Sequence, residues 1–220
     1  MGLIDSVFGL FKDRREVLDL SSFNDPLALS IDWKPLVGGG SNFCTHRLRK
    51  TSSFTEDLAC FKVTFAAFLF CIVFAIVGFV GFFFALLLGD ESGWLFLIFL
   101  AVGAGMLWWM KRKEISFCRL SAYYLRAGVR HDASSLHAIQ LVREYVSGNK
   151  HSYYSYELNL IMSDGTRLNV TDHGSLRAIR EDAHDLSAYL GIPVWDAIDY
   201  RLPEPAADPK AKNLSNCLSF

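Results

Sequence analysis

Several signatures that announce a function are missing from this 220-residue chain. Its five cysteines, Cys44, Cys60, Cys71, Cys118 and Cys217, are odd in number, widely spaced and without a CxxC pair. Neither a disulfide framework nor a zinc site is suggested, and the reading is free thiols in a reducing cytosol. His131, His137, His151, His173 and His184 include no HExxH spacing, which sets aside a zinc protease. "GGGSN" at 38–42 lacks the Lys-Ser/Thr of a P-loop and the repeat of a dinucleotide fingerprint, so it reads as a flexible linker. Charge of one sign is also missing. The formal net charge is −1, and residues 111–200 hold eleven Lys/Arg against eleven Asp/Glu. No bulk field draws nucleic acid to such a surface. With no convergent acid, base or metal set, the expectation is a non-enzymatic protein with no cofactor.

What fills the chain instead is apolar: hydrophobic residues are 51% and phenylalanine alone numbers 18. Val63 to Leu88 is a run of 26 uncharged residues, 18 of them Phe, Leu, Ile or Val. Those side chains favour a bilayer by about 5–11 kcal/mol on the insertion scale. As a helix the run is roughly 39 Å long, more than the hydrocarbon needs. More than sixty residues precede it, so its position is wrong for a signal peptide. A second run, Trp94–Met110, is interrupted by Gly103 and Gly105. Trp94 at one end and Trp108 and Trp109 at the other read as interfacial anchors. The linker "GDESG" (89–93) is short enough to force an antiparallel hairpin and carries Asp90 and Glu91. Arg47, Arg49, Lys50 and Lys62 precede the first run, and Lys111, Arg112 and Lys113 follow the second. The positive-inside rule then places both termini in the cytoplasm. Ala67, Cys71, Ala75 and Gly78 share a face of the first helix, and Ala101 and Gly105 lie four apart on the second. Small faces of this kind let helices approach, either within the hairpin or between copies in a homo-oligomer. Neither run holds an ionisable side chain, which argues against a pump or secondary transporter.

The flanks read as one split soluble domain. Asn42–Val63 suggests two strands around Thr-Ser-Ser, and Glu114–Gly128 suggests two more. Three further strands follow from His137, with turns at Ser147–Lys150 and Asp164–Gly165. Within "YSYELNL", Tyr154, Tyr156, Leu158 and Leu160 alternate with Ser155, Glu157 and Asn159, which predicts one buried and one wet face. Ser175 is an expected N-cap for a helix with the stripe Leu176, Ile179, Ala183, Leu186 and Leu190, ended by Gly191 and Pro193. Asp172-His173-Gly174 falls at the strand-to-helix turn, where such residues commonly cap or fill. The tyrosines Tyr145, Tyr153, Tyr154 and Tyr156 have no basic patch beside them and read as packing. Seven strands and one helix suggest an α+β membrane protein: a transmembrane hairpin inserted in a cytoplasmic pleckstrin-homology-like (PH-like) β-sheet domain capped by its C-terminal helix. A plain α+β sandwich leaves the same pattern.

The divisions expected are an amphipathic helix at 1–20, a linker at 21–41, the first part of the β-domain at 42–62, the hairpin at 63–110, the main part of the β-domain at 111–200 and a disordered tail at 201–220. Ile4, Val7, Phe8 and Phe11 give the first helix its apolar face, which lies on the inner leaflet or docks on the domain. "CLSF" at the end of the tail is a poor match to a prenylation box. "SYELNLIMSDGTRLNVTDHG", the following helix with "LGIPVWDAI", and the upstream "WKPLVGGGSNFCTHRL" resemble a recurring pattern of bacterial inner-membrane proteins with two transmembrane helices, over residues 30–200. The resemblance implies that architecture and a bacterial inner-membrane location, and no reaction. The function expected is binding of a protein partner, as an adaptor or a toxin-immunity protein. The alternative is an oligomeric pore or an accessory subunit of a transport or secretion complex.

Overall fold

Each apolar run ends where a helix cap is available. In the computed structural model, which describes residues 15–52, 57–148 and 151–202, the runs form helices α2 (Phe65–Leu88) and α3 (Trp94–Arg112), preceded by a short helix α1 (Pro26–Ser30). Thr64 caps α2 by accepting from the Ala67 amide, and Gly89 closes it at φ 65°. Lys111 and Arg112 occupy the last turn of α3, where a cation complements the helix dipole. Both helices are long and apolar enough to cross a membrane.

They pack against each other through the smallest residues. Ala67, Cys71, Gly78 and Ala85 are buried on α2, and Gly103 and Met110 on α3. A Cβ at Gly78 would lie 2.3 Å from the Leu100 nitrogen, and one at Gly103 would lie 2.6 Å from the Cys71 carbonyl oxygen. Ala75 is half-buried, its nitrogen 2.7 Å from that same Gly103 Cβ position. The face expected on α3 is not the one used. Ala101 and Gly105 are exposed, and nothing lies within 4 Å of a Cβ at Gly105. Two residues from Gly103 is roughly 200° around a helix, so both fall on the far side.

Strands β1 (His46–Ser52), β2 (Asp57–Val63), β3 (Ile115–Cys118), β4 (Tyr123–Arg126) and β5 (Val129–Asp132) form an antiparallel sheet in that order. The chain therefore leaves this sheet after β2, makes the helical hairpin and returns into the neighbouring slot, with Phe61 opposite Ile115 and Leu58 opposite Cys118. A second sheet holds β6 (Leu136–Val146), β7 (Tyr153–Met162), β8 (Arg167–His173) and β9 (Val194–Asp196), in the order β8-β7-β6-β9. β9 runs parallel to β6 and the other pairs are antiparallel. The expected Asp-Gly turn joins β7 to β8, with Gly165 at φ 84°.

One core joins the two sheets and α4 (Leu176–Leu190). Phe61, Phe117, Ile139, Leu158, Leu160, Ile179 and Leu186 are buried within it. Ser175 caps α4 through the Ala178 amide and Gly191 ends it at φ 74°. Two strands differ from the sequence reading. β5 follows a two-residue turn of Ala127 (φ 50°) and Gly128 (φ 80°), and β9 follows α4, so the helix is not the last element of the domain.

The stretch expected as a linker at 21–41 is instead a cover. Leu18, Ala28 and Trp33 are buried with Val142, Ile161 and Trp195 against the outer face of the second sheet. Trp33 stacks on Phe23 at 5.1 Å and donates from Nε1 to the Ala28 carbonyl at 2.9 Å. Apolar residues on both faces of β6 are what require it. Arg15 to Asp19 is not helical, and Val17 bridges to Arg201. The rest of the expected N-terminal helix, residues 1–14, and the tail from 203 onwards lie outside the described residues, as does the "CLSF" end.

Candidate functional site

The polar residues of β7 are not wet. Ser155, Glu157 and Asn159 are 2%, 3% and 0% exposed, although the alternation predicts a solvated face. They are covered by the loop 32–41, whose backbone groups Ser155 and Glu157 satisfy, while Asn159 donates to Glu157. Leu36 N donates to Glu157 Oε1 at 2.8 Å and Val37 N donates to Oε2 at 3.1 Å. Ser155 Oγ donates to the Ser41 carbonyl at 3.0 Å. The Glu144 carboxylate accepts from Gly39 N and Gly40 N, both at 2.9 Å. A loop without regular structure must place its N–H groups somewhere, and these carboxylates are the acceptors. "GGGSN" is thus a fixed strap: a Cβ at Gly40 would lie 2.3 Å from Ser155 Oγ.

Strapping the loop creates a polar cavity of about 390 Å³ where the helical hairpin meets the domain. Its walls are the strap from Val37 to Asn42 with Thr45 and His46, β8 from Asn169 to Asp172, and Trp109 with Lys113 at the end of α3. Lys113 Nζ sits 3.7 Å over the Trp109 ring, and Arg112 sits 4.8 Å over Trp108. Asn169 Nδ2 donates to Asp172 Oδ1 at 2.8 Å. Burial raises the Asp172 carboxyl to about 6, against the pull of Asn169 and with help from Glu157. The Thr171 hydroxyl is buried and has no hydrogen-bond partner among the described residues.

A second cluster locks the hairpin to the domain. The Met110 carbonyl can only accept, so His46 donates to it from Nε2 at 3.0 Å and its Nδ1 accepts from Thr45 Oγ1 at 2.9 Å. Arg47 donates from Nε to Asp182 at 2.9 Å and pairs with Glu181, tying β1 to α4. Burial lifts Asp182 to about 6 despite Arg47. His173 is fully buried, neither ring nitrogen meets full hydrogen-bond geometry with a partner among the described residues, and burial, then Arg47 and His46, holds it down at about 4 against the pull of the Ser175 backbone. It is neutral at physiological pH. His131 stacks on Tyr124 and His137 contacts Asp25, so neither joins His46 and His173 in this cluster.

The third feature is an open edge. All four residues of β5 are exposed, and the sheet ends there. Val129 closes the turn against Arg126 and Ala133 N donates to the Ala122 carbonyl, so the backbone groups of Arg130 and Asp132 point away from β4. Beside this edge runs a groove of about 430 Å³, lined by Tyr124, His131, Met162 and Thr166 among others. Of the residues singled out in the sequence, Trp108, Trp109 and Lys111 to Lys113 gather at one end of the hairpin and Trp94 lies at the other, all exposed. The strap, the buried Glu157 and the edge strand carry no motif; the run of three glycines, read from the sequence as a flexible linker, is the signal that close backbone contact leaves there. Compared with known proteins, the chain matches no family model and no curated protein.

Proposed function

We propose that this chain is a membrane-anchored binding module. In this reading α2 and α3 cross the bacterial inner membrane as a hairpin with both termini in the cytoplasm, and the PH-like domain holds an extended segment of a protein partner against β5. The observation that carries the partner reading is the open β5 edge with a groove beside it, which matches recognition by strand addition. The membrane reading is supported by exposed side chains along both helices, such as Phe79, Leu87 and Ile98, which water would not tolerate together. The Trp and Lys/Arg collar at one end and Asp90 and Glu91 at the other support the orientation. Two sheets sharing a core with one helix support the half-barrel. Adaptor and toxin-immunity roles both use such a module.

The test uses Arg130→Pro, which removes an outward N–H while leaving the β4–β5 ladder intact. Affinity purification of the full chain from native membranes should retain a partner that Arg130→Pro loses, at unchanged circular dichroism. An identical set of co-purified proteins from both would sink the reading. A second reading, an oligomer assembled through α3, is favoured by the outward placement of Ala101 and Gly105. Gly105→Leu should then lower the oligomeric state seen by sedimentation in detergent.

A further inference from the structure

The polar cavity at the hairpin junction has the position and the chemistry of a lipid site. Trp109 forms part of its wall at the end of an apolar helix, the level at which indoles meet lipid headgroups. Phe43 and Phe65, both exposed, flank the same junction, where Thr64 Oγ1 donates to the Cys44 carbonyl. Inside, the polar groups are incompletely used. Thr171 belongs to the cavity wall, but it pairs across the ladder with Leu158, on the sheet face opposite that of Asp172, and its hydroxyl is closed off from the cavity. Asp172 spends Oδ1 on Asn169, and its Oδ2 has no hydrogen bond from the described residues. Lys113 contributes a cation at the cavity rim and Asp172 an anion on β8. The remaining carboxylates on that side, Glu144 and Glu157, are consumed by the strap. An anion and a cation lining one cavity suit a ligand carrying both charges. A volume of about 390 Å³ is ample for a group of eight or nine heavy atoms.

We propose that this cavity binds the headgroup of an aminophospholipid of the phosphatidylethanolamine type, its ammonium on Asp172 and its phosphate on Lys113, with the acyl chains running down α3 past Trp109. The ammonium has three donors, and Asp172 Oδ2 is an acceptor that takes no hydrogen bond from the described residues. A quaternary ammonium has no such donors. Binding also requires an ionised Asp172. The groups facing it are Asn169 on its own strand, Glu157 on β7, Glu144 on β6 and Lys113 after α3; burial outweighs the two that favour charge and sets its titration at about 6. Affinity should therefore fall as the pH drops below 6.

The inference rests on the membrane reading for the orientation of the lipid, so the experiment avoids needing a bilayer. The full chain in a sugar-headed detergent is titrated by calorimetry with dihexanoyl phosphatidylethanolamine, dihexanoyl phosphatidylcholine and free phosphoethanolamine. Saturable binding of the first, at least tenfold weaker binding of the other two, and a tenfold or greater loss in Asp172→Asn are expected. Asp172→Asn keeps the shape and can still pair with Asn169; Lys113→Gln, at an exposed residue of the cavity rim, provides a second variant with the same expected direction. Equal binding of the two lipids, or binding unchanged in both variants, would overturn the proposal. Free phosphoethanolamine binding as tightly as the lipid would assign the site to a soluble amine phosphate and overturn the lipid. A chain that fails to enter vesicles would count against the membrane reading alone, since the titration is read without them.

Discussion

At the scale of single residues, the instructive positions are polar ones hidden under a loop. Ser155, Glu157 and Asn159 alternate with apolar neighbours as an exposed strand face would, and that alternation carries no information about what covers it. What distinguishes a wet face from one that holds a strap lies 104 to 121 residues away from its acceptors, in the amides of Leu36, Val37, Gly39 and Gly40. Replacing Glu157 by alanine strands two of those donors and should cost about 2–3 kcal/mol, read as a lowered thermal midpoint in detergent. Gly40→Ala forces a contact with Ser155 and should cost about 1–3 kcal/mol. Gly38→Ala, whose Cβ meets nothing nearer than 3.9 Å, should lie within about 0.5 kcal/mol of the parent. His173 sets a pH dependence. Its pKa falls on folding from the ordinary value to about 4, so the unfolded chain binds the extra proton between pH 4 and 6.5. Stability from this group accordingly rises with pH through that window, and a His173→Leu variant should lose that acid sensitivity. Asp172 and Asp182, raised to about 6, act in the opposite sense over much the same range. With two such carboxyls against one His173, the parent's unfolding midpoint should fall as pH is taken from 4 to 6, and the variant's should fall more steeply.

At the scale of elements, composition and caps were enough for the long pieces. α2, α3 and α4 were legible because a 26-residue uncharged run, a second apolar run and a five-residue stripe have few alternatives. Which side of α3 meets α2 was not legible, because a helix apolar all round offers no stripe to read. Small residues at 101, 103 and 105 are equivalent in sequence and only packing separates them. The separation is measurable. Gly103→Leu should drive the helices apart and lower the thermal midpoint by several degrees, whereas Gly105→Leu should leave hairpin stability unchanged. Equal effects would mean the interface has been assigned to the wrong face. β5 and β9 escaped notice because four and three residues are too few for a period to show. β9 in particular is defined by its neighbours: Trp195 is 1% exposed only because β6 and the covering segment close over it.

At the scale of the whole molecule, the membrane-type helices are an insertion in a sheet that is otherwise continuous. That arrangement was anticipated from the matching strands on either side of the apolar runs, while the second core beneath Trp33 and Trp195 was not, since its two halves lie far apart in the chain. The register makes a strong prediction. Because Leu58 opposes Cys118 and Phe61 opposes Ile115, continuing the ladder puts Val63 opposite Lys113. Replacing Thr64–Arg112 by Asn-Gly should therefore close β2 onto β3 as a two-residue hairpin. The shortened chain should stay in solution without detergent and keep the circular dichroism of the sheets. Aggregation of that chain would show that the hairpin is needed to hold the domain together.

The same interruption has a price during synthesis. When β2 leaves the ribosome its partner β3 is still about fifty residues away, which at ordinary elongation rates is roughly 2–10 s of translation. Throughout that interval a nascent strand with Leu58 and Phe61 presents a bare edge that other chains can pair with. On the membrane reading proposed above, delivery of the apolar hairpin to the translocation machinery comes before the first sheet can close, so slow delivery should expose newborn chains to chaperones and proteases at that one stage.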